Sequence, residues 1–172
     1  EARPAFRVVD FSTHISGPLA SYLLREFGAE VIKVEAPRHG DGLRPLKPDI
    51  GGAGKYHAGL NAGARSVVMD FRSPQWQPMV RALAASADVV IVGGRPEAAR
   101  KRGIDFATIR EASPRVVYCA ITGFGEDGPW RGNAAHGLNP DAWAGLVPIR
   151  HDSGHPAPPA EFLSHGTPLA GV

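Results

Sequence analysis

VVDFSTHISGPLASYLLREFGAEVIKVEAP, residues 8–37, has the pattern of a strand, a turn, a helix and a second strand. Its opening β-branched run is typical of a buried parallel strand. A helix is predicted to begin at Ser16, whose hydroxyl suits a helix N-terminus, and Pro18 fits the first turn because its missing N–H costs nothing there. Gly28 is suited to the helix end. The unit is typical of nucleotide-binding folds, yet its turn lacks the glycine-rich phosphate fingerprint.

The rest of the chain continues this alternation of strands and helices. Further strands are predicted from short β-branched runs at residues 65–71, 88–92 and 115–122, in addition to the strand at residues 30–35. Strands that alternate with helices favour a parallel, doubly wound sheet with helices on both faces. The predicted fold class is therefore α/β.

The segment between the second and third strands, residues 37–64, is rich in glycine and proline and has little periodicity. It is predicted to be a long surface loop, which in a compact domain is often functional. Its histidines, His39 and His57, are expected to be exposed. The next helix is predicted to start near Ser73, and Pro78 is expected to kink or delay its first turn.

The last part of the chain is predicted to contain a loop over residues 123–135, a helix over about residues 139–146 and an exposed proline-rich linker over residues 148–160. The tryptophans are expected to be packing residues: Trp76, Trp130 and Trp143.

Composition narrows the class of protein. The chain has 172 residues, 43% of them hydrophobic and 21% charged, which fits about one globular domain. A net charge of +2 is too small to indicate nucleic acid or a membrane surface as partner. The single cysteine, Cys119, excludes an internal disulfide and favours the reducing cytoplasm as the location of the protein. No apolar run approaches the roughly 20 residues that span a bilayer, and the chain is expected to be part of a longer protein.

Ligands of a doubly wound sheet bind beyond the carboxyl ends of its strands. Those ends correspond here to residues 13–16, 37–40, 93–95 and 123–125. Helix N-termini and nearby arginines at these positions suit a phosphate-bearing ligand. The glycines in the same segments would serve equally well to make turns, so this pattern alone leaves both interpretations open.

Several segments occur in an order that carries a more specific resemblance: DFSxxxxGPLASxLLxEFGAEVIKVE, AGLNAGARSVVMDFRSPQ, ADVVIVGGRP, RKRGIDFATIREASPRVVYCAITGFGEDGP and a closing AG. Together they resemble the amino-terminal domain of the family III coenzyme A transferases, a group that includes formyl-CoA transferase, carnitine CoA-transferase and α-methylacyl-CoA racemase. The resemblance implies a Rossmann-like domain over residues 1–172. It also implies an interlocked homodimer completed by a small domain that this chain lacks.

The resemblance indicates coenzyme A, rather than NAD, as the ligand of the cleft. In the family the loop after the first strand contacts CoA, and His14 and Ile15 occupy that place here. Arg38 lies within a residue or two of a basic residue that binds phosphate in the family. Where the family has an Asn-Phe pair that helps to hold the adenine, this chain has Gly93 and Gly94, which implies weaker binding.

Lys101 falls at a further phosphate-binding position of the family and is flanked by Arg100 and Arg102. A solvated helix end would explain these cations equally well in isolation, and the resemblance favours phosphate contact. No metal site is expected. His151, Asp152 and His155 could chelate a metal, but no further ligand cluster supports this, and solvated loop histidines are the favoured interpretation.

The departures from the family are sharpest at its chemistry. Family transferases use one aspartate as nucleophile, which passes through anhydride and thioester intermediates; His165 stands at that position here, and an imidazole cannot form the same anhydride. The racemases use a His-Asp pair at an earlier helix start, where this chain keeps His136 but has Gly137. Asp141 could face the same way on that helix, although the resemblance gives it no role.

These observations leave several functional hypotheses. The first is a CoA-transferase-like enzyme that acts on an acyl-CoA and a small carboxylic acid. The second is a catalytically silent CoA-binding or scaffold half of a larger two-domain or oligomeric protein. An enzyme similar to the acyl-CoA racemases or isomerases is a further alternative. An NAD-dependent dehydrogenase is the least favoured, because no glycine fingerprint follows the first strand.

Overall fold

This computed structural model describes residues 6–46, 49–50 and 53–148, which form seven strands and six helices. The strands are β1 (Arg7–Asp10), β2 (Glu30–Glu35), β3 (Asp49–Ile50), β4 (Ala53–Gly54), β5 (Arg65–Val68), β6 (Val89–Gly93) and β7 (Val117–Ile121). The helices are α1 (Ser16–Glu26), α2 (Lys55–Leu60), α3 (Trp76–Ala85), α4 (Pro96–Lys101), α5 (Phe106–Ala112) and α6 (Leu138–Trp143).

The main sheet has five parallel strands in the order β5-β2-β1-β6-β7. The chain therefore winds outward from β1 in one direction through β2 and β5, and then in the other through β6 and β7. Because the direction changes between β1 and β6, the loops after these two strands separate and leave a crevice at the carboxyl edge. The predicted doubly wound α/β fold with a Rossmann-like order is confirmed.

Each face of the sheet has its own hydrophobic core. On one face, Val9, Ile32 and Val90 pack with side chains of α3 and α5 such as Val80 and Ile109. On the other face a smaller cluster is covered by α1, and its members are Val8, Ala29, Val31 and Ile91, with Ala20 and Leu24 packed against them. Successive strand residues point to opposite faces, so the neighbouring apolar residues of β1, β2 and β6 supply both cores.

Helix α1 follows the sequence pattern closely. It begins at Ser16 with Pro18 buried in its first turn, and its last turn carries Arg25. Gly28 follows with φ of 92°, a conformation that glycine adopts at no steric cost, and its N–H bonds back to the carbonyl of Arg25 at 2.8 Å. The predicted start and end of this helix are both confirmed.

The predicted loop over residues 37–64 is partly wrong. The segment contains the β3–β4 hairpin and helix α2, and it folds back over the sheet edge so that Asp41, Leu43 and His57 are buried. The prediction that His57 is exposed is therefore also wrong. His39 is exposed as predicted. Glycine-rich composition did not reveal this packing because it depends on contacts with residues outside the segment, such as those of Asp41 with His14 and Lys33.

Smaller differences occur elsewhere. Helix α3 begins at Trp76 rather than near Ser73, so the delay expected from Pro78 is confirmed. Helix α6 ends at Trp143, earlier than predicted, and β5 ends at Val68. Trp76 packs against a core, whereas Trp130 and Trp143 pack on each other with 45% and 65% of their surfaces exposed.

The proline-rich linker predicted over residues 148–160 falls almost entirely outside the described residues, as do His165 and the histidines of the linker. Within the described part, none of the helices combines the length and apolar character that crossing a bilayer requires.

Candidate active site

A cleft of about 230 Å³ opens at the carboxyl edge of the sheet, at the point where the winding direction changes. Its walls are the loops after β1, β6 and β7 together with the start of α6. The predicted site residues His14, Ile15, Gly93, Gly94 and His136 all line it. The structure thus brings together residues that are more than a hundred positions apart in sequence.

Two glycines allow the backbone to close around Ser12 at the base of this cleft. A Cβ atom at Gly17 would lie 1.8 Å from the Ser12 hydroxyl, and one at Gly93 would lie 2.9 Å from the Ser12 Cβ. Helix α1 and strand β6 approach the loop after β1 this closely only because neither position carries a side chain. Glycines from separate elements therefore provide the close approach that a contiguous glycine fingerprint provides in dinucleotide-binding folds.

Two imidazoles meet across the cleft. The rings of His14 and His136 lie edge to face with their centroids 5.2 Å apart. The hydroxyl of Thr13 is 2.9 Å from Nδ1 of His14. The backbone N–H of His136 donates to the side-chain oxygen of Asn139 at 2.9 Å. His14 has φ of 68°, an uncommon conformation for a residue with a side chain.

A buried ionic cluster lies beneath the loop that carries His14. Lys33 and Asp10 are register partners on neighbouring strands, and Lys33 Nζ lies 3.2 Å from Asp10 and 3.3 Å from Asp41. The same ammonium donates to the Ser12 carbonyl at 2.7 Å. Asp10 in turn accepts from the backbone N–H and the hydroxyl of Ser12. Each of these charges is therefore desolvated but paired, the condition under which a buried charge is tolerated.

A second part of the network begins at Glu35, the last residue of β2. Arg44 donates to both carboxylate oxygens of Glu35 at 2.6 Å, and the Ser66 hydroxyl and the Asp41 N–H also donate to them. The hydrogen bond from Arg44 is the main reason that the pKa of Glu35 falls to about 2. Burial lowers the pKa of the neighbouring His57, with a further contribution from the positive charge of Arg44, so this imidazole is neutral near pH 7.

The structure does not place every predicted binding residue in the cleft. Arg38 follows β2 and is exposed, also with φ of 68°, at the sheet edge. There Arg72 holds the pKa of Asp70 at about 2, and the charge of Arg38 contributes to this lowering. Lys101, exposed at the end of α4, borders a separate cavity between α3 and α5 that Trp76 also lines. The phosphate-binding roles of Arg38 and Lys101 stay predictions.

No carboxylate is among the described residues that line the cleft. Gly137 occupies the wall where the resembled racemases have an aspartate, and Asp141 is fully buried in α6 without lining the cleft. His165 lies outside the described residues. In the described part, no group of three or more His, Cys, Asp and Glu side chains is arranged to hold a metal ion. The visible groups can bind and position a ligand or move a proton through an imidazole.

Sequence reasoning missed the residues of the ionic network. Asp10, Lys33 and Glu35 are charged positions within strands that are otherwise apolar and buried. A charged residue at an inward position of such a strand is a signal that could have found them, because lysine, aspartate and glutamate are almost never fully buried unless they are paired.

Comparison with known proteins matches the chain to one family. The model of CoA-transferase family III matches residues 5–169. Succinate–glutarate CoA-transferase of Agrobacterium fabrum is 36% identical over 151 residues, which are 83% of this chain and 38% of that protein. Human succinyl-CoA:glutarate CoA-transferase is 32% identical over 160 residues, 92% of this chain and 36% of that protein.

Solved structures of proteins with related sequences have the same fold. The structure of Rv3272 from Mycobacterium tuberculosis in its orthorhombic form superposes with a TM-score of 0.84 at 32% identity, covering 98% of this chain and 46% of that chain. A CAIB/BAIF family protein from Brucella suis superposes with a TM-score of 0.79 at 31% identity. The chain thus spans less than two-fifths of the length of the curated relatives named above.

Proposed function

The chain belongs to CoA-transferase family III, and we propose that it is the CoA-binding part of a protein that moves CoA between carboxylic acids. The observation that carries this proposal is the cleft at the change of winding direction, with His14 and Ile15 on one side and Gly93 and Gly94 on the other. This is where open α/β sheets bind nucleotide-like ligands.

The cleft suits the thioester end of an acyl-CoA. Ile15 and Ile121 give it apolar surface, and Gly93 and Gly94 let a chain-like ligand lie against the backbone of β6. The N-terminus of α1 faces the same space, and its dipole favours negative charge there. Arg38, further along the sheet edge, would meet the phosphates. An interlocked homodimer and a cytoplasmic location belong to the same proposal.

The transfer reaction needs a carboxylate that exchanges oxygen through an anhydride and then holds CoA as a thioester. Since the described lining residues include none, we expect the nucleophile to come from another part of the full-length protein or from a partner subunit. His136 would act in the cleft as an acid or base, or as a ligand contact.

A second candidate function is a catalytically silent CoA-binding or scaffold half of a larger protein. The observation that favours it is the same absence of a carboxylate from the described cleft lining. Gly137 lines the cleft at the position where the resembled racemases have an aspartate. A racemase-like reaction would need a second base opposite His136, and His14 is the group in the described cleft that could provide it.

Calorimetric titration of the full-length protein with coenzyme A tests the binding proposal. Arg38→Ala should weaken binding about tenfold or more, since a charge-assisted hydrogen bond contributes about 1.5–3 kcal/mol. Lys101→Ala is expected to act in the same direction, and Arg110→Ala, an exposed arginine on α5, is the control that should leave affinity unchanged. Failure of the parent protein to bind either CoA or an acyl-CoA would refute the proposal.

Intact-mass measurement after incubation with an acyl-CoA separates the two candidate functions. We expect no acyl or CoA adduct within residues 1–172, because an imidazole and a glycine stand where the family has carboxylates. An adduct mapped elsewhere in the full-length protein supports a transferase, and binding without any adduct supports the silent half. An adduct on His165 or Asp141 would show that this chain carries its own nucleophile.

A further inference from the structure

We propose that Asp41 is a positioning residue that holds the His14 segment of the cleft in the conformation that binds the ligand. The inference deepens the proposed function, on which it rests. Asp41 lies in the loop after β2, twenty-seven positions from His14, and does not line the cleft. It would act on the ligand only through the backbone of the neighbouring loop.

The His14 backbone needs such support. Among the described residues, His14 and Arg38 are the non-glycine positions with positive φ, each at 68°. A residue with a side chain is strained in this conformation and keeps it only where the surroundings impose it. Both residues follow a strand at the carboxyl edge, where the resemblance places contacts to CoA.

Asp41 supplies this support from a buried position. It is 1% exposed, and both of its carboxylate oxygens lie within 3.2 Å of the His14 N–H. One oxygen also accepts from the Leu43 N–H at 2.9 Å, and the other faces Lys33 Nζ at 3.3 Å. Each of these three partners is a donor, and among them the His14 amide is the one that belongs to the cleft.

The loop that carries Asp41 is itself anchored. The Asp41 N–H donates to Glu35 Oε2 at 3.0 Å, and Arg44, three residues further along the loop, donates to the same carboxylate at 2.6 Å. The imidazole of His14 also abuts this loop, because a Cβ atom at Gly42 would lie 2.6 Å from its Nε2. Backbone and ring of His14 are therefore both set by the loop after β2.

This arrangement couples the two predicted ligand contacts. Arg38 lies in the loop that Glu35 and Asp41 anchor, and His14 lies in the loop that Asp41 holds. A ligand that orders one loop should stabilise the other through a single carboxylate. The geometry therefore assigns Asp41 a role in affinity that is distinct from its contribution to folding.

Two substitutions separate these roles. Asp41→Asn keeps a carbonyl oxygen that can accept from the His14 and Leu43 amides, but it presents an NH₂ group to Lys33. Asp41→Ala removes both interactions. We expect both variants of the full-length protein to lower the melting temperature by similar amounts. Affinity for coenzyme A, measured by calorimetry well below melting, should fall about tenfold in Asp41→Ala and less than threefold in Asp41→Asn.

His14→Gly provides the second measurement, since glycine adopts positive φ without strain. In the His14→Gly background the additional loss of CoA affinity caused by Asp41→Ala should shrink from about tenfold to less than threefold. Asp105→Ala serves as the matched control. Asp105 accepts from the Thr108 N–H at the start of α5, so its loss should lower the melting temperature without changing CoA affinity.

The outcomes are distinguishable. Equal losses of affinity from Asp41→Ala in the parent and His14→Gly backgrounds would show that Asp41 does not act through His14. Affinity losses in Asp41→Asn as large as those in Asp41→Ala would show that its charge, rather than its hold on the amide, matters. If the parent protein does not bind coenzyme A, the proposed function fails rather than this assignment.

Discussion

The two walls of the cleft are built in different ways. The network wall consists of the lining residues 12–17 and of the loop at residues 36–46 that supports them from outside the cleft. It is held by desolvated charges that join residues distant in sequence, such as Lys33 to Ser12 and Asp41 to His14. The aromatic wall, residues 122–148, is largely exposed, and two of its side-chain hydrogen bonds, Gly125 to Thr122 and His136 to Asn139, join residues three positions apart. Its rings, Phe124, Trp130 and Trp143, pack on one another at 4.6–6.1 Å.

This difference predicts that the network wall is rigid and that the aromatic wall is able to shift. Buried ion pairs lose much of their stabilisation when one partner is removed, so the network wall tolerates few changes. Local hydrogen bonds and exposed rings allow a segment to shift at low cost. We therefore expect the network wall to define the ligand position and the aromatic wall to adjust to it.

The largest effect is expected from Lys33→Met. The substitution leaves Asp10 and Asp41 buried without their shared cation and should destabilise the protein by about 3–5 kcal/mol in urea unfolding. Arg65→Met is the control, because the Arg65 side chain is 75% exposed in its pair with Glu30 and should contribute less than about 1 kcal/mol. A Lys33→Met variant as stable as the control would show that the network wall is not held by charge.

Glu35→Gln should have a pH-dependent effect of about 3 kcal/mol. The folded pKa of Glu35 is about 2 against an ordinary 4.5, so its ionised form stabilises the fold fully above pH 4.5, and this contribution disappears as the pH falls through 2. The difference in unfolding free energy between parent and variant should therefore be largest near neutral pH and narrow on acidification.

A matched control for this titration is Glu26→Gln, whose side chain is 52% exposed beside Arg25. Its difference from the parent should stay below about 1 kcal/mol at each pH tested. A Glu35→Gln difference that grows as the pH falls would contradict the depressed pKa and the role of Arg44.

Glycine substitutions compare the two walls directly. Gly17→Ala would place a Cβ atom 1.8 Å from the Ser12 hydroxyl against a buried helix start, and it should cost about 2 kcal/mol in thermal unfolding. Gly123→Ala would meet the Ala135 Cβ at 2.1 Å, but that neighbour lies in the aromatic wall. If this wall adapts, Gly123→Ala should lower the unfolding free energy less than Gly17→Ala does. The reverse order would show that the aromatic wall is not the more adaptable of the two.

The smallest effect is expected from Trp143→Ala. Trp143 is 65% exposed, and its ring centroid lies 4.6 Å from that of Trp130 and 6.1 Å from that of Phe124, so its loss removes little buried area and two exposed ring pairs. We expect a change of about 1 kcal/mol or less in urea unfolding, since aromatic pairs contribute about 0.5–1.5 kcal/mol. A loss above about 3 kcal/mol would show that the aromatic wall is as firmly held as the network wall.

The sequence by itself determined the parallel α/β fold, the bounds of α1 and the family. These depend on local signals, such as the apolar runs of β1 and β2, the start at Ser16 and the end at Gly28, and on ordered segments that resemble the family. It also identified His14, Ile15, Gly93, Gly94 and His136, all of which line the cleft. The rule that ligands bind at strand ends selected the segments of the first four, and the family resemblance selected His136.

Only the tertiary structure decided what holds these residues in place. Asp10 and Lys33 become partners through the register of β1 and β2, and Asp41 reaches His14 because the segment after β2 folds back over the sheet edge. The same folding buries His57, which its glycine-rich surroundings predicted to be exposed. Composition and periodicity report which side chains prefer to be buried. The partners of a buried charge are set by strand order and loop path, which bring distant residues together only once the chain has folded.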